Sequence, residues 1–183
     1  MKNRSNVLYV LRLALTLLII TGAVAAALSG VNAITAEKIA QIREEKTQQA
    51  IVQVLPLLQD SEIQTTPVNS GIVKTLYTTE VGYAVEVVPS GFDGGITMMV
   101  GIANGEVTGI SVISHTETPG LGAVAAAENA KGEEFRQQFV GMFGDLAVTK
   151  DGGTIDSITS ATITSRAVTE GVSAALAYVK TQG

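Results

Sequence analysis

The rhythm of apolar and polar positions changes several times along the chain, and each change marks an element. Residues 13–31, LALTLLIITGAVAAALSGV, carry no charge. At about 1.5 Å per residue such a helix nearly spans a hydrocarbon core of roughly 30 Å. Tyr9 and Val10 lengthen the run, with Arg12 snorkelling toward the headgroups. From 34 to 58, Ile34, Ile39, Ile42, Ala50, Val54 and Leu58 fall near one helical face with charges between them. Pro56 ends or bends this helix. The polar stretch 59–71, with Pro67 and Gly71, reads as a loop.

The period then shortens to two. IVKTLYTT (72–79) and VGYAVEVV (81–88) read as strands, and Tyr83, Val85 and Val87 share a face. PSGFDGG (89–95) is a turn region. Asn104-Gly105 divides two β-rich runs and predicts an antiparallel pair at 96–103 and 106–114, because both turn positions need positive φ. After HTETPGLG (115–122) and a small-residue segment, Phe135, Phe139 and Met142 lie near one helical face. DLAVT (145–149) and GTID (153–156) read as short strands around a Gly-Gly turn. A helix from about 162 to 180 buries Ala161, Val168, Val172, Ala175, Leu176 and Val179. The whole predicts an α+β domain, an antiparallel sheet with packed helices, on a transmembrane helix and a helical stalk. The expected segments are 1–33 (cytoplasmic N-terminus and transmembrane helix), 34–58 (stalk) and 59–183 (exported domain).

Composition narrows the function. With 46% apolar and 16% charged residues, the chain of 183 can bury a core. Its net charge of −5 and lack of a basic stripe argue against nucleic acid as a partner. The absence of cysteine excludes disulfides and thiolate metal sites, and a single histidine, His115, excludes a His-rich metal site. No metal is expected. Lys2, Arg4 and Arg12 precede the apolar run, and charges of mixed sign follow it. The positive-inside bias therefore puts the N-terminus in the cytoplasm, with one pass through the cytoplasmic membrane lipid and the remainder outside. A cleaved signal peptide is the alternative, with AVA and VNA as cleavage sites. The apolar run exceeds the usual h-region of about 7–15 residues, which favours the uncleaved anchor. Either reading exports the domain.

Two stretches have the residues for chemistry. In HTETPGLG, Thr118-Pro119-Gly120 is a turn, and Gly120 and Gly122 allow backbone to lie close to a neighbour. Leu121 is the only large apolar side chain of the loop, and its backbone N–H groups, Glu117 and His115 could line a flat ligand's edge; a plain hairpin exit with a solvated Glu117 is the simpler reading of composition. In DSITSATITSRAV (156–168), six residues are Ser or Thr: Ser157, Thr159, Ser160, Thr162, Thr164 and Ser165. Hydroxyls at a helix start serve either of two ends. They cap it, for which Ser160 or Thr162 would suffice, or they join the unpaired N–H groups in holding a phosphate. Capping is again the simpler reading on physics alone. No GxxxxGK[ST] is present, so a nucleoside triphosphate is not indicated.

Asp156-Ser-Ile-Thr-Ser-Ala-Thr162 resembles the flavinylation motif of FMN-binding domains, roughly D-G-x-[ST]-G-A-T, and HTETPGLG resembles that family's second signature. Ser157 and Ser160 stand where the motif usually has Gly. The resemblance implies a phosphoester between FMN and Thr162, made by a dedicated flavin transferase outside the cytoplasmic membrane. It also implies FMN contacts from Thr159, Ser160, Ala161 and Thr164 around the phosphate. Glu117, Thr118, Gly120, Leu121 and Gly122 would lie by the isoalloxazine, and Phe135 and Phe139 would either pack at its edge or belong to the core. Anchor, stalk and domain together are similar to the G subunits of Rnf complexes. They are also similar to the C subunits of sodium-pumping NADH:quinone reductases, which tend to be longer, so Rnf is favoured.

The implied role is that of an electron carrier in an ion-translocating ferredoxin:NAD oxidoreductase coupled to Na⁺ or H⁺, with other membrane subunits as partners. The single membrane run has no ionisable residue between Leu13 and Val31, so an ion path belongs to those partners. Its Thr16, Thr21, Gly22, Ala26, Ser29 and Gly30 suit packing against their helices. The rivals are an anchored non-redox assembly module and a stand-alone exported flavoprotein.

Overall fold

The computed structural model describes residues 2–56 and 62–182. The chain divides into two compact units, 1–44 and 45–183. Helix α1, Lys2–Val54, joins the anchor and stalk segments without a break. Its large apolar side chains from Val7 to Ile42 are exposed. They belong to a helix long and apolar enough to cross a membrane, with a mean hydropathy of 2.2 over an 18-residue stretch. The helix stops two residues before Pro56, whose ring cannot follow a helical partner. Leu58, expected on the stalk's apolar face, lies outside the described residues.

In the second unit, five strands form an antiparallel meander in sequence order: β1 Gln64–Ser70, β2 Val73–Thr79, β3 Gly82–Val87, β4 Thr97–Ala103 and β5 Glu106–Ser114. The Asn104-Gly105 hairpin is as expected, with both residues at positive φ. β1 corrects the reading of 59–71 as loop. It is an edge strand paired only to β2 among the described residues, so Pro67 breaks no second ladder, and of its described side chains only Val68 is buried in the core. Polar alternation with a proline concealed it.

Both faces of the sheet are covered. On one, Leu76, Val85, Val87, Met98, Val100 and Ile102 pack with Val168, Val172, Ala175 and Leu176 of α3, Thr162–Lys180. On the other, Ala84, Met99 and Ile113 pack with Ala50, Ile51, Val54 and Leu55 at the end of α1. Double coverage explains why β4 is buried without a break from Met98 to Ile102 rather than alternating. A Cβ on Gly101 of β4 would collide with the Val54 carbonyl, so glycine there seats the α1 terminus on the sheet.

Helix α2, Ala130–Gln137, is shorter than the apolar spacing suggests; Phe139 and Met142 follow it in turns. Phe135 and Phe139 meet edge to face, centroids 5.5 Å apart, inside the core. The segments 145–149 and 153–156 are not strands. One parallel bridge, Val148 to Ile155, spans a 3₁₀ turn over Thr149–Asp151. Too few residues separate the two segments to continue a parallel ladder.

Candidate functional site

Three loops and the first turn of α3 meet at the end of the sheet where β3 leads into β4 and β5 ends. The 89–96 turn is closed by the Ile96 N–H donating to the Pro89 carbonyl at 2.9 Å. It is tied to the next loop where the Thr116 hydroxyl donates to the Asp93 carbonyl at 2.9 Å. In TPGLG, Gly120 takes a φ of 77°, and the N–H groups of Leu121 and Ala123 both donate to the Thr118 carbonyl at 3.2 Å. The first step needs a left-handed residue, which is glycine's use here.

Glu117 joins these parts. It is only 4% exposed, so the reading of a solvated charge is corrected. One carboxylate oxygen accepts from the Asp93 N–H at 3.2 Å, and the other accepts from the Thr164 hydroxyl in a very short bond. A Cβ on Gly122 would strike both Glu117 and Thr164. Gly122 is therefore the residue that lets the TPGLG backbone close on the helix start. A buried carboxylate needs such partners, and each of its oxygens has one.

The helix start itself is open. α3 begins at Thr162 with Ala161 as its N-cap, and no side chain caps it. The expected caps, Ser160 and Thr162, do not serve. The hydroxyls around the helix mouth act elsewhere. Ser165 accepts from the Ile158 N–H at 3.0 Å and donates to the Ala161 carbonyl at 2.9 Å. Thr164 is held by Glu117. Thr162 is half-exposed, and its Oγ1 accepts from Lys150 Nζ at 2.8 Å. Ser160 has a φ of 63°, the left-handed region where serine is strained and glycine is not. Ser157 is not at positive φ. Its buried hydroxyl has no partner among the described residues.

Beside Thr162 lies a cleft of about 280 Å³ lined by Phe92, Glu117, Thr118, Leu121, Gly122 and residues 160–164. Three of its apolar side chains are exposed: Phe92 at 66%, Ile163 at 49% and Leu121 at 43%. Large apolar groups left this open, next to a helix mouth without a cap, suit a flat aromatic ligand carrying a phosphate. A second cavity of about 520 Å³ lies against Thr159 and Gly120, with Phe135, Lys131 and Asp156 among its lining. Of the ten site residues expected from sequence, eight line the first cavity and these two, Thr159 and Gly120, line the second. His115 lines neither, and its Nδ1 is buried without a partner among the described residues.

Two residues had no sequence signal. Phe92 sits in a glycine-rich turn, and Lys150 lies twelve positions before the hydroxyl it contacts. Lys150 is presented by the 3₁₀ turn, which is fixed to α3 by a bidentate pair between Asp151 and Arg166 at 2.6 Å. The paired guanidinium holds the Asp151 carboxyl below its ordinary range and is itself raised in return.

Residues 91–177, which include both signature stretches and this cleft, match the FMN-binding domain family. The chain is 33% identical over 179 residues to the G subunit of the ion-translocating oxidoreductase complex of Methanosarcina acetivorans, covering 91% of this chain and 93% of that one. The chain belongs to this family of G subunits. It is also 34% identical over 185 residues to the G subunit of the Na⁺-translocating ferredoxin:NAD⁺ oxidoreductase complex of Acetobacterium woodii, covering 89% of this chain and 88% of that one. Among solved structures, the C subunit of Na⁺-translocating NADH-quinone reductase from Parabacteroides distasonis shares the fold, with a TM-score of 0.57 over 79% of this chain and 95% of that one. At 18% identity that likeness concerns the fold alone.

Proposed function

We propose that this protein carries electrons through FMN bound covalently at Thr162, within a membrane complex that couples ferredoxin:NAD oxidoreduction to Na⁺ or H⁺ translocation. The observation that carries the site is the helix mouth without a cap, with the Thr162 hydroxyl at the rim of a cleft walled by exposed Phe92, Leu121 and Ile163. The related G subunits, matched over most of their length, support the assembly. They favour this complex over the quinone reductase, to which the chain is tied by fold alone.

Each part of the site has a task in this reading. A Thr162 phosphoester places the phosphate at the start of α3, where unpaired N–H groups and the positive end of the helix dipole favour an anion. Gly120 supplies the left-handed turn of the loop that faces the ring, and Gly122 lets that loop close on Glu117 and the helix start. Phe92, Leu121 and Ile163 offer apolar surface to it, and Glu117 holds loop, turn and helix in one arrangement. Thr159, Ser160 and Ala161 shape the backbone leading to the ester. When bound, the flavin supplies one- and two-electron redox chemistry, and the protein supplies attachment, orientation and electronic tuning. A covalent link suits a domain outside the cytoplasm, where dilute free cofactor would let a non-covalent one dissociate.

In this reading the N-terminus stays in the cytoplasm and the domain lies on the extracytoplasmic side, as the basic residues before the apolar run favour. A flavin transferase on that side matures it, and other subunits of the complex bring and remove electrons and carry the ion. In cells holding the transferase, the denatured protein is expected to keep its flavin fluorescence in a gel and to lose it in Thr162→Ala. A non-fluorescent wild-type band would refute the covalent link.

A further inference from the structure

We propose that Lys150 binds the phosphate of the attached flavin, so that its ammonium balances the charge created at Thr162; this rests on the covalent reading above. In the structure, Lys150 Nζ donates to Thr162 Oγ1, the atom that would become the ester oxygen, at 2.8 Å. An exposed ammonium on a neutral hydroxyl gains little, because water serves it as well. A phosphodiester at the same atom changes this. The bridging oxygen becomes a poor acceptor, while the two non-bridging oxygens share a full negative charge within reach of the same side chain. Lysine is a flexible point charge with three donors, so it can turn to those oxygens without backbone movement.

The surroundings keep Lys150 available for this. The other cation of the turn region, Arg166, is held bidentately by Asp151 at 2.6 Å. That pair engages both oxygens of the adjoining Asp151, so its carboxylate neither captures Lys150 nor opposes the phosphate with an unbalanced charge. The 3₁₀ turn that presents the lysine is fixed from behind. The Thr149 N–H donates to the Ile155 carbonyl at 2.8 Å and the Gly153 N–H to the Val148 carbonyl at 3.1 Å. The backbone under Lys150 is thus set by contacts that do not involve the cofactor.

The test uses this chain in detergent with the flavin transferase and a flavin dinucleotide donor: the Thr162 Oγ1–P bond forms as the donor's pyrophosphate bond breaks, and the nucleoside monophosphate leaves with the threonine proton. Attachment is followed by intact mass over time at low and high salt, and the attached phosphate by its ³¹P resonance. Lys150→Ala is expected to slow attachment about tenfold at low salt, the effect of losing one charge-assisted hydrogen bond. It is also expected to flatten the salt dependence and to move the ³¹P resonance. Lys150→Arg is expected to restore the rate and the salt dependence. Unmodified Lys150→Ala is expected to melt with the unmodified wild type, because the side chain is exposed. Wild-type attachment rate and an unmoved ³¹P resonance in Lys150→Ala would overturn the role of Lys150 alone. An unmodified wild type, or attachment surviving in Thr162→Ala, would overturn the covalent reading and this inference with it.

Discussion

The starts of α2 and α3 make an instructive pair. α2 has one suitable residue, Asn129, and uses it: its side chain accepts from the Gly132 N–H at 3.0 Å. α3 has six hydroxyls around its start and uses none as a cap. The difference is one of occupation. Ser165 binds the incoming loop, Thr164 is held by buried Glu117, and Thr162 meets Lys150. α2 satisfies its own terminus with a side chain, whereas α3 leaves its terminus without one. Hydroxyl count at a helix start therefore says little until the partners of each hydroxyl are known.

The contrast can be broken at several points. Thr162→Ala has the largest expected effect, complete loss of attached flavin. Next is Glu117→Ala, which leaves the Asp93 N–H and the Thr164 hydroxyl without their buried acceptor. It is expected to lower unfolding stability by about 2–4 kcal/mol in urea titrations of unmodified protein. Asn129→Ala removes a working cap and should cost about 1 kcal/mol. Thr159→Ala, a hydroxyl near the helix mouth that caps nothing, should change stability by less than about 0.5 kcal/mol. Equal costs for these two would contradict the asymmetry. Smallest in size is Ser160→Gly, which relieves the left-handed strain at a φ of 63°. It is expected to stabilise the unmodified protein by some tenths of a kcal/mol, net of the entropy that glycine adds to the unfolded chain.

Periodicity made most of the fold legible. The last helix, the Asn104-Gly105 hairpin and the three central strands follow from residue patterns that tertiary contacts then reinforce. β1 escaped because an edge strand buries little and tolerates Pro67, so neither hydropathy nor proline placement marks it. The paired strands expected around Gly152-Gly153 failed for the opposite reason: a short apolar alternation had no partner long enough to extend it.

At the site, the two signature stretches were visible as local sequence, and the fold brings them to one cleft. Its remaining parts were invisible for a physical reason. Phe92 reaches the cleft only because Thr116 and Glu117 bind the 89–96 turn, and Lys150 reaches Thr162 only because a 3₁₀ turn folds back on α3. Neither contact leaves a spacing that a linear reading can detect. The serines in place of glycine separate in the same way. At 160 the backbone requires the left-handed conformation that glycine would supply, and at 157 it does not.

The most direct test of the account is the intact mass of the full-length protein extracted from membranes of cells that hold the flavin transferase. The prediction is the chain mass plus one FMN less one water, with the increment absent from Thr162→Ala. The bare chain mass in the wild type, or the increment persisting in Thr162→Ala, would contradict it.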